Sequence, residues 1–197
     1  MRRPLTKRKA PFAPWVSMNS ASPSVLYVNG RFYAEEEPSL SAVDRGFTLG
    51  DGVFETMRAS QGNILHLSQH LARLQQGAAV LEIPLPSQKQ LTAALQGVLS
   101  RISDAQAVLR LTVSRGIDKG RGIALPTNPS PTVVIRATPL VPYPAEAYEK
   151  GFRAAISSIR RNESSPLSRI KSLNYGDSIL ARREAQKRGY DEAIMLN

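Results

Sequence analysis

Apolar positions recur along this chain in two periods, and the changes of period mark its elements. Val25-Leu26-Tyr27-Val28 is a short apolar run, Asn29-Gly30 is a strong two-residue turn signal, and Arg31-Phe32-Tyr33 returns, so a β-hairpin is predicted to open the fold. An acidic, proline-marked turn follows from Glu35 to Pro38. Between Asp44 and Gly52 three glycines and two aspartates fall within nine residues, which predicts a tight loop dominated by backbone. Glycine at that density lets something approach closely, although a plain structural turn uses the same residues. Val53 to Ala59 then reads as a strand ending at the Gln61-Gly62-Asn63 turn.

The period then lengthens. Leu67, Leu71, Leu74, Ala78 and Leu81 stand at helical spacing, with Ser68 or His66 as cap and Pro84 as stop, and a second helix is predicted from Ser87 to Ile102. Ala107–Val113 and Thr132–Ala137 read as strands. The loop between them, Ser114 to Gly122, is basic and glycine-rich, a make-up that suits an anion: glycine amides form a concavity, and Arg115 or Arg121 can grip a carboxylate through two nitrogens. Its spacing is too irregular for a Walker or dinucleotide loop. Pro139, Pro142 and Pro144 mark a linker. The organisation expected is a basic tail over 1–24, a small α/β domain over 25–138, a linker over 139–144, and the start of a second domain over 145–197. That last part should hold a short helix (145–150), a strand (152–158), a polar stretch (160–168), a helix (174–187) stopped by Gly189, and a strand (190–196). Two strands and a helix are short of partners, so a second chain or further residues are expected to supply them.

Composition narrows the chemistry. With 42% hydrophobic residues the 197-residue chain can bury a real core. There are no cysteines and only two histidines, His66 and His70, so a thiolate nucleophile, a disulfide framework and a histidine-rich metal centre are excluded, and no metal site is expected. No run approaches the roughly 18 apolar residues needed to span a bilayer. Of the net charge of +10, five units come from Arg2, Arg3, Lys7, Arg8 and Lys9, in a proline-marked stretch without acids. This tail reads as disordered, as an organellar leader, or as an extension upstream of Met18; the rest of the chain is read as cytoplasmic. The remaining +5 suits small anions such as phosphates and carboxylates better than nucleic acid, which would want a basic stripe interleaved with aromatics.

One lysine draws the parts together. Lys171 lies between the polar stretch and a helix, in Ser168-Arg169-Ile170-Lys171-Ser172-Leu173-Asn174-Tyr175, where backbone on both sides can hold its amine for Schiff-base chemistry. A solvated lysine among Arg160, Arg161 and Arg169 is the plainer alternative.

Five stretches in order, Asp44-Arg45-Gly46 with Gly50 to Thr56, His70 to Leu74, Ser114-Arg115-Gly116, Ile170 to Tyr175, and Gly189 to Ile194, together resemble the class IV aminotransferase family. These are the fold-type IV pyridoxal-phosphate enzymes: branched-chain aminotransferases, D-amino acid transaminases and 4-amino-4-deoxychorismate lyases. The resemblance runs from Val25 to the last residue. It implies an α+β or α/β enzyme of two domains, with the second incomplete. By position, Lys171 matches the lysine that holds the cofactor and later moves the substrate proton, Arg73 the arginine that binds its phosphate, and Tyr175 a tyrosine beside that lysine whose role is less defined. The loop holding Arg115 and Arg121 matches the region near the substrate carboxylate, Arg121 being the better match. Phe54 stands where D-amino acid transaminases resemble one another in having tyrosine.

The resemblance favours the lyase, which converts aminodeoxychorismate to p-aminobenzoate and pyruvate in folate biosynthesis. Phe54 and the Ser114–Gly122 loop fit that choice, whereas Ile123 stands where the lyases often show tyrosine. The alternatives are a D-amino acid or branched-chain transaminase and, more distantly, a non-catalytic fragment. Partners implied are a small amino acid or aminodeoxychorismate and a second copy in a homodimer, with no nucleic acid or membrane. A glutamate at the pyridine nitrogen and further phosphate contacts are expected beyond Asn197, so the chain by itself is expected to bind cofactor poorly.

Overall fold

A computed structural model of the chain describes residues 24–34, 40–120 and 122–197. The basic tail, the Glu35–Pro38 turn and Arg121 lie outside the described residues. The opening hairpin forms as predicted: β1 (Val25–Val28) pairs antiparallel with β2 (Arg31–Ala34), and Asn29 and Gly30 both take the positive φ (44° and 95°) that a two-residue turn requires. β3 (Gly52–Ser60), the two-residue β4 (Asn63–Ile64), β5 (Gln106–Ser114) and β6 (Thr132–Pro139) complete a six-stranded sheet. Its order is β2-β1-β6-β5-β3-β4, and every pairing in it is antiparallel.

The Asp44–Gly52 stretch corrects the expectation of a loop. It holds a short helix, α1 (Arg45–Leu49), because Asp44 Oδ1 accepts from Gly46 N (2.7 Å) to start a turn and left-handed Gly50 (φ 66°) stops it. Its glycines do admit a neighbour. A Cβ at Gly50 would stand 2.9 Å from Asn174 Oδ1, and one at Gly52 would stand 2.6 Å from both Val113 O and Leu173 Cδ1.

Two longer helices cover one face of the sheet. α2 (Leu67–Val80) turns Leu71, Leu74 and Ala78 inward, and α3 (Gln88–Leu99) turns Leu91, Leu95 and Val98 inward. They meet Val53, Met57, Leu109, Leu111, Val113 and Ile135, the alternate residues of three strands, in one buried core. Ser87 starts α3 with a capping box: Gln90 N donates to Ser87 Oγ (3.3 Å) and Ser87 N donates to Gln90 Oε1 (2.9 Å). His66 does precede α2, but its backbone is left-handed (φ 53°) and its side chain caps nothing.

The chain forms two compact units, divided differently from the expected linear boundary. One is the described part of Ser22–Pro142 together with Asn162–Tyr175, and the other is Tyr143–Arg161 together with Gly176–Asn197. Residues 162–175 join the large sheet because their extended backbone bonds to β3. In the smaller unit α4 (Ala145–Lys150) precedes β7 (Ala154–Ile156), which pairs in parallel with β8 (Glu192–Ile194). α5 (Gly176–Lys187) packs on both strands, buries Ala181 and Ala185, and begins two residues later than expected. Glu184 accepts from Ser157 Oγ (2.8 Å) and Ser158 N (3.1 Å), tying α5 to the end of β7.

Replacement of Gly52 by alanine should destabilise the protein by about 1–3 kcal/mol, since the new methyl meets backbone that cannot rotate away. Gly62→Ala, at a turn where a Cβ meets nothing within 4 Å, should cost less despite its φ of +76°. Urea denaturation midpoints of the two variants compare them directly.

Candidate active site

Three clusters of polar side chains lie in the larger unit, and β3 or the turn that feeds it contributes to each. The first is built on Lys171. A 3-10 turn over Pro166–Arg169 delivers the chain to an extended stretch beside the start of β3. Phe54 N donates to Lys171 O (2.9 Å), Leu173 N donates to Gly52 O (2.9 Å), and Val53 and Ser172 form an antiparallel bridge. Ile170 packs against the core, where Gly77 of α2 leaves it room: a Cβ there would stand 3.2 Å from Val53 Cγ1 and 3.6 Å from Ile170 Cβ. Alternation along an extended chain then sends Lys171 to the opposite face, where Phe54 lies.

On that face the Lys171 ammonium sits 4.3 Å from the centre of the Phe54 ring and donates to the Tyr175 hydroxyl at 3.4 Å. Phe54 and Tyr175 meet edge to face, with ring centres 5.1 Å apart. The Arg110 guanidinium lies 3.8 Å from the centre of the same Phe54 ring. Burial pushes the pKa of Arg110 down, and the Tyr175 phenol offsets part of that fall. One aromatic ring thus serves two cations.

The second cluster lies under β3. Glu55 occupies an inward position between Val53 and Met57 and is 0% exposed. Its carboxylate is forked: Arg73 Nε donates to Oε1 (2.6 Å) and Arg73 Nη2 to Oε2 (2.6 Å), while His70 Nδ1 lies 2.8 Å from Oε2. His70 and Arg73 are three residues apart on α2 and share a side of that helix. Burial pushes the Glu55 carboxyl up, but the bonds from Arg73 and then His70 outweigh it and hold it below the ordinary carboxylate range. The Arg73 side chain is 54% exposed, and among the described residues its Nη1 makes no hydrogen bond. Its pKa is raised, first by the bond to Glu55 and, more weakly, by the Tyr175 phenol.

The third cluster holds the loops. Arg115 is buried and donates to both oxygens of Asp51 (2.7 and 3.2 Å), to Leu81 O (2.5 Å) and to Glu82 O (3.1 Å). Arg45, also buried, donates to Asp51 (2.9 Å), Asp118 (3.0 Å) and Ala124 O (3.0 Å). The expectation that Arg115 grips a substrate carboxylate does not fit this environment, because its fork is already spent on Asp51 and two carbonyls. Its work is to fasten β5 to the Asp51 turn and to the end of α2. Residues 123 and 124, which follow Arg121, are fastened in turn by Arg45.

The signals that sequence reasoning passed over are specific. Glu55 is a charge in the apolar phase of a strand, which requires a buried partner. Arg110 stands on the outward phase of β5, in register with Thr56.

Comparison with known proteins identifies the family. The pattern of the family described as amino-transferase class IV matches residues 52–197. The chain is 34% identical over 175 residues to aminodeoxychorismate lyase of Bacillus subtilis, covering 87% of this chain and 58% of the lyase. It is 30% identical to D-alanine aminotransferase of Listeria innocua, covering 86% and 58%. Among solved structures, the branched-chain amino acid aminotransferase of Escherichia coli superposes with a TM-score of 0.80 at 28% identity, covering 88% of this chain and 59% of that one. The chain therefore belongs to the class IV aminotransferase family, and it spans about three fifths of the length of these relatives. Its mixed α/β fold with a mostly antiparallel sheet is the fold-type IV architecture.

The Asp51 cluster carries a pH signature. Burial pushes the Asp51 carboxyl up, yet the bonds from Arg115 and Arg45 hold it below the ordinary carboxylate value. A depressed folded pKa contributes stability that is complete above the unfolded value and is lost as pH falls through the folded one. Asp51→Asn should therefore be less stable than the parent at pH 7, and the two stabilities should converge below about pH 4. Urea midpoints measured from pH 3 to pH 7 check this.

Proposed function

We propose that the protein acts as a pyridoxal-phosphate enzyme on a small amino acid or on aminodeoxychorismate, with its chemistry at Lys171. The observation that carries this reading is the convergence of the Lys171 amine, the Tyr175 hydroxyl and the Phe54 ring, while Arg73, half-exposed, keeps an outer donor edge. The residues present fit the cofactor. An amine on an aromatic face suits an aldehyde-bearing planar ring, a phenol beside it suits a polar ring substituent, and an arginine with a free donor edge suits a phosphate. Bound pyridoxal phosphate would supply a conjugated ring that delocalises the charge left at the substrate's α-carbon.

The protein's residues do the rest. Lys171 Nζ would be the group that holds the cofactor's aldehyde, and the same amine is placed to take the substrate's α-proton as general base. The Tyr175 hydroxyl, 3.4 Å away, fixes the amine's direction. Phe54, 4% exposed, keeps water from one side of the reacting centre. Arg73 would hold the phosphate through its outer donors, and Arg110, against the same ring as Lys171, would receive a carboxylate of the substrate. Arg121 is proposed as a second carboxylate ligand on its sequence match alone.

Between the outcomes open to the family, the lyase is favoured: Phe54 fills the place held by tyrosine in D-amino acid transaminases, and the Bacillus subtilis lyase is among the similar proteins. That reading places the protein in folate biosynthesis, working as a homodimer. A D-amino acid or branched-chain transaminase is the second reading.

With the intact protein, aminodeoxychorismate should release pyruvate without any keto-acid acceptor; a strict requirement for 2-oxoglutarate would select the transaminase. Borohydride should trap the cofactor on Lys171, and Lys171→Ala should lose that attachment with a fall in turnover of about 10²–10⁴ or more.

A further inference from the structure

Glu55 is the one fully buried carboxylate among the described residues, and none of the roles above employs it. A carboxylate removed from water persists in a core only if it is paired. Glu55 is paired in a particular way: with Nε and Nη2 of Arg73, two adjacent donors of one guanidinium, while His70 Nδ1 fills a further position on Oε2. The unused donor edge of Arg73 is the outer one, on a side chain 54% exposed. An arginine projecting from a helix surface otherwise samples many rotamers, and ordering it is a cost that any ligand must meet on binding.

We propose that Glu55 is the positioning residue for Arg73: it clamps the inner edge of the guanidinium so that the Nη1 edge stands ready for an anion, the phosphate monoester of the cofactor. His70, on the same side of α2, shares the carboxylate's charge, so that the buried anion is held by two residues rather than one. This inference rests on the reading of Arg73 as the phosphate ligand, and it opposes the simplest electrostatic expectation. A carboxylate beside Arg73 weakens its net attraction for phosphate, so on charge alone Glu55→Gln would tighten phosphate binding. A clamp predicts the reverse, because a glutamine amide turns an NH2 toward one of the two arginine donors and opens the fork.

The test is the ratio of affinities for pyridoxal 5'-phosphate and pyridoxal, which differ only in the phosphate, titrated by absorbance on the intact protein. Glu55→Gln is expected to lower this ratio about tenfold with the affinity for pyridoxal unchanged, and the double variant Glu55→Gln/Arg73→Ala to lower it no further than Arg73→Ala alone. If Arg73→Ala lowers the ratio but Glu55→Gln leaves it unchanged or raises it, the positioning role is overturned while the phosphate reading stands. If Arg73→Ala itself leaves the ratio unchanged, both fall. Should circular dichroism show that Glu55→Gln does not fold, Glu55→Asp, which withdraws the carboxylate by one methylene, is expected to lower the ratio in the same direction, and an unchanged ratio there overturns the proposal.

Discussion

Two backbone hydrogen bonds between distant parts of the chain hold the site together. Phe54 N to Lys171 O and Leu173 N to Gly52 O bring an irregular segment alongside the first residues of β3. Once that pairing is made, strand geometry decides the rest: Ile170 goes down into the core, Lys171 goes up beside Phe54, and Tyr175 closes over the same ring. The glycines at 50 and 52 are the steric condition for this approach, since a side chain at either would occupy the space taken by Asn174 or Leu173. Lys171 therefore owes its place to the sheet more than to the helix that follows it in sequence.

Around this junction charge is distributed by depth. The two buried arginines, Arg45 and Arg115, share Asp51 and spend their remaining donors on carbonyls and Asp118, so they act as rivets between loops. Arg73 and Arg110 keep exposed surface and lean on Glu55 and Phe54 respectively. These four guanidiniums of the larger unit thus divide into two that are consumed by the fold and two that keep contact with solvent. That division separates arginines consumed by the fold from solvent-facing ones more sharply than their positions in the sequence do.

Much of this was legible beforehand. The hairpin at Asn29-Gly30 was written in a turn that needs two positive φ values, and the helix over 67–80 in its leucine spacing, since both signals are local. Lys171, Arg73, Phe54 and Tyr175 could be singled out through family likeness, and the structure gathers Lys171, Phe54 and Tyr175 around one ring. What stayed hidden depends on contacts far apart in sequence. The return of residues 162–175 to the sheet rests on pairing across more than a hundred positions, which no local pattern records. The commitment of Arg115 to Asp51 spans 64 residues. Glu55 could have been flagged, since a charge in phase with Val53 and Met57 demands a partner, but which partner depended on how α2 crosses β3. The short helix at 45–49 was hidden by Gly46 within it and Gly50 and Gly52 after it, although Asp44 is a good N-cap.

The separation between Phe54 and Lys171 bears on how the protein is made. Position 171 is synthesised 117 residues after position 54, and a ribosome adding about 5–20 residues per second needs about 6–23 s to span that interval. Throughout it the margin of β3 at Gly52 and Phe54 has amide and carbonyl groups with no strand beside them, the kind of edge that recruits stray chains. The segment that carries the lysine is also the one that seals this margin, so one pairing both places Lys171 and protects the strand from misassembly.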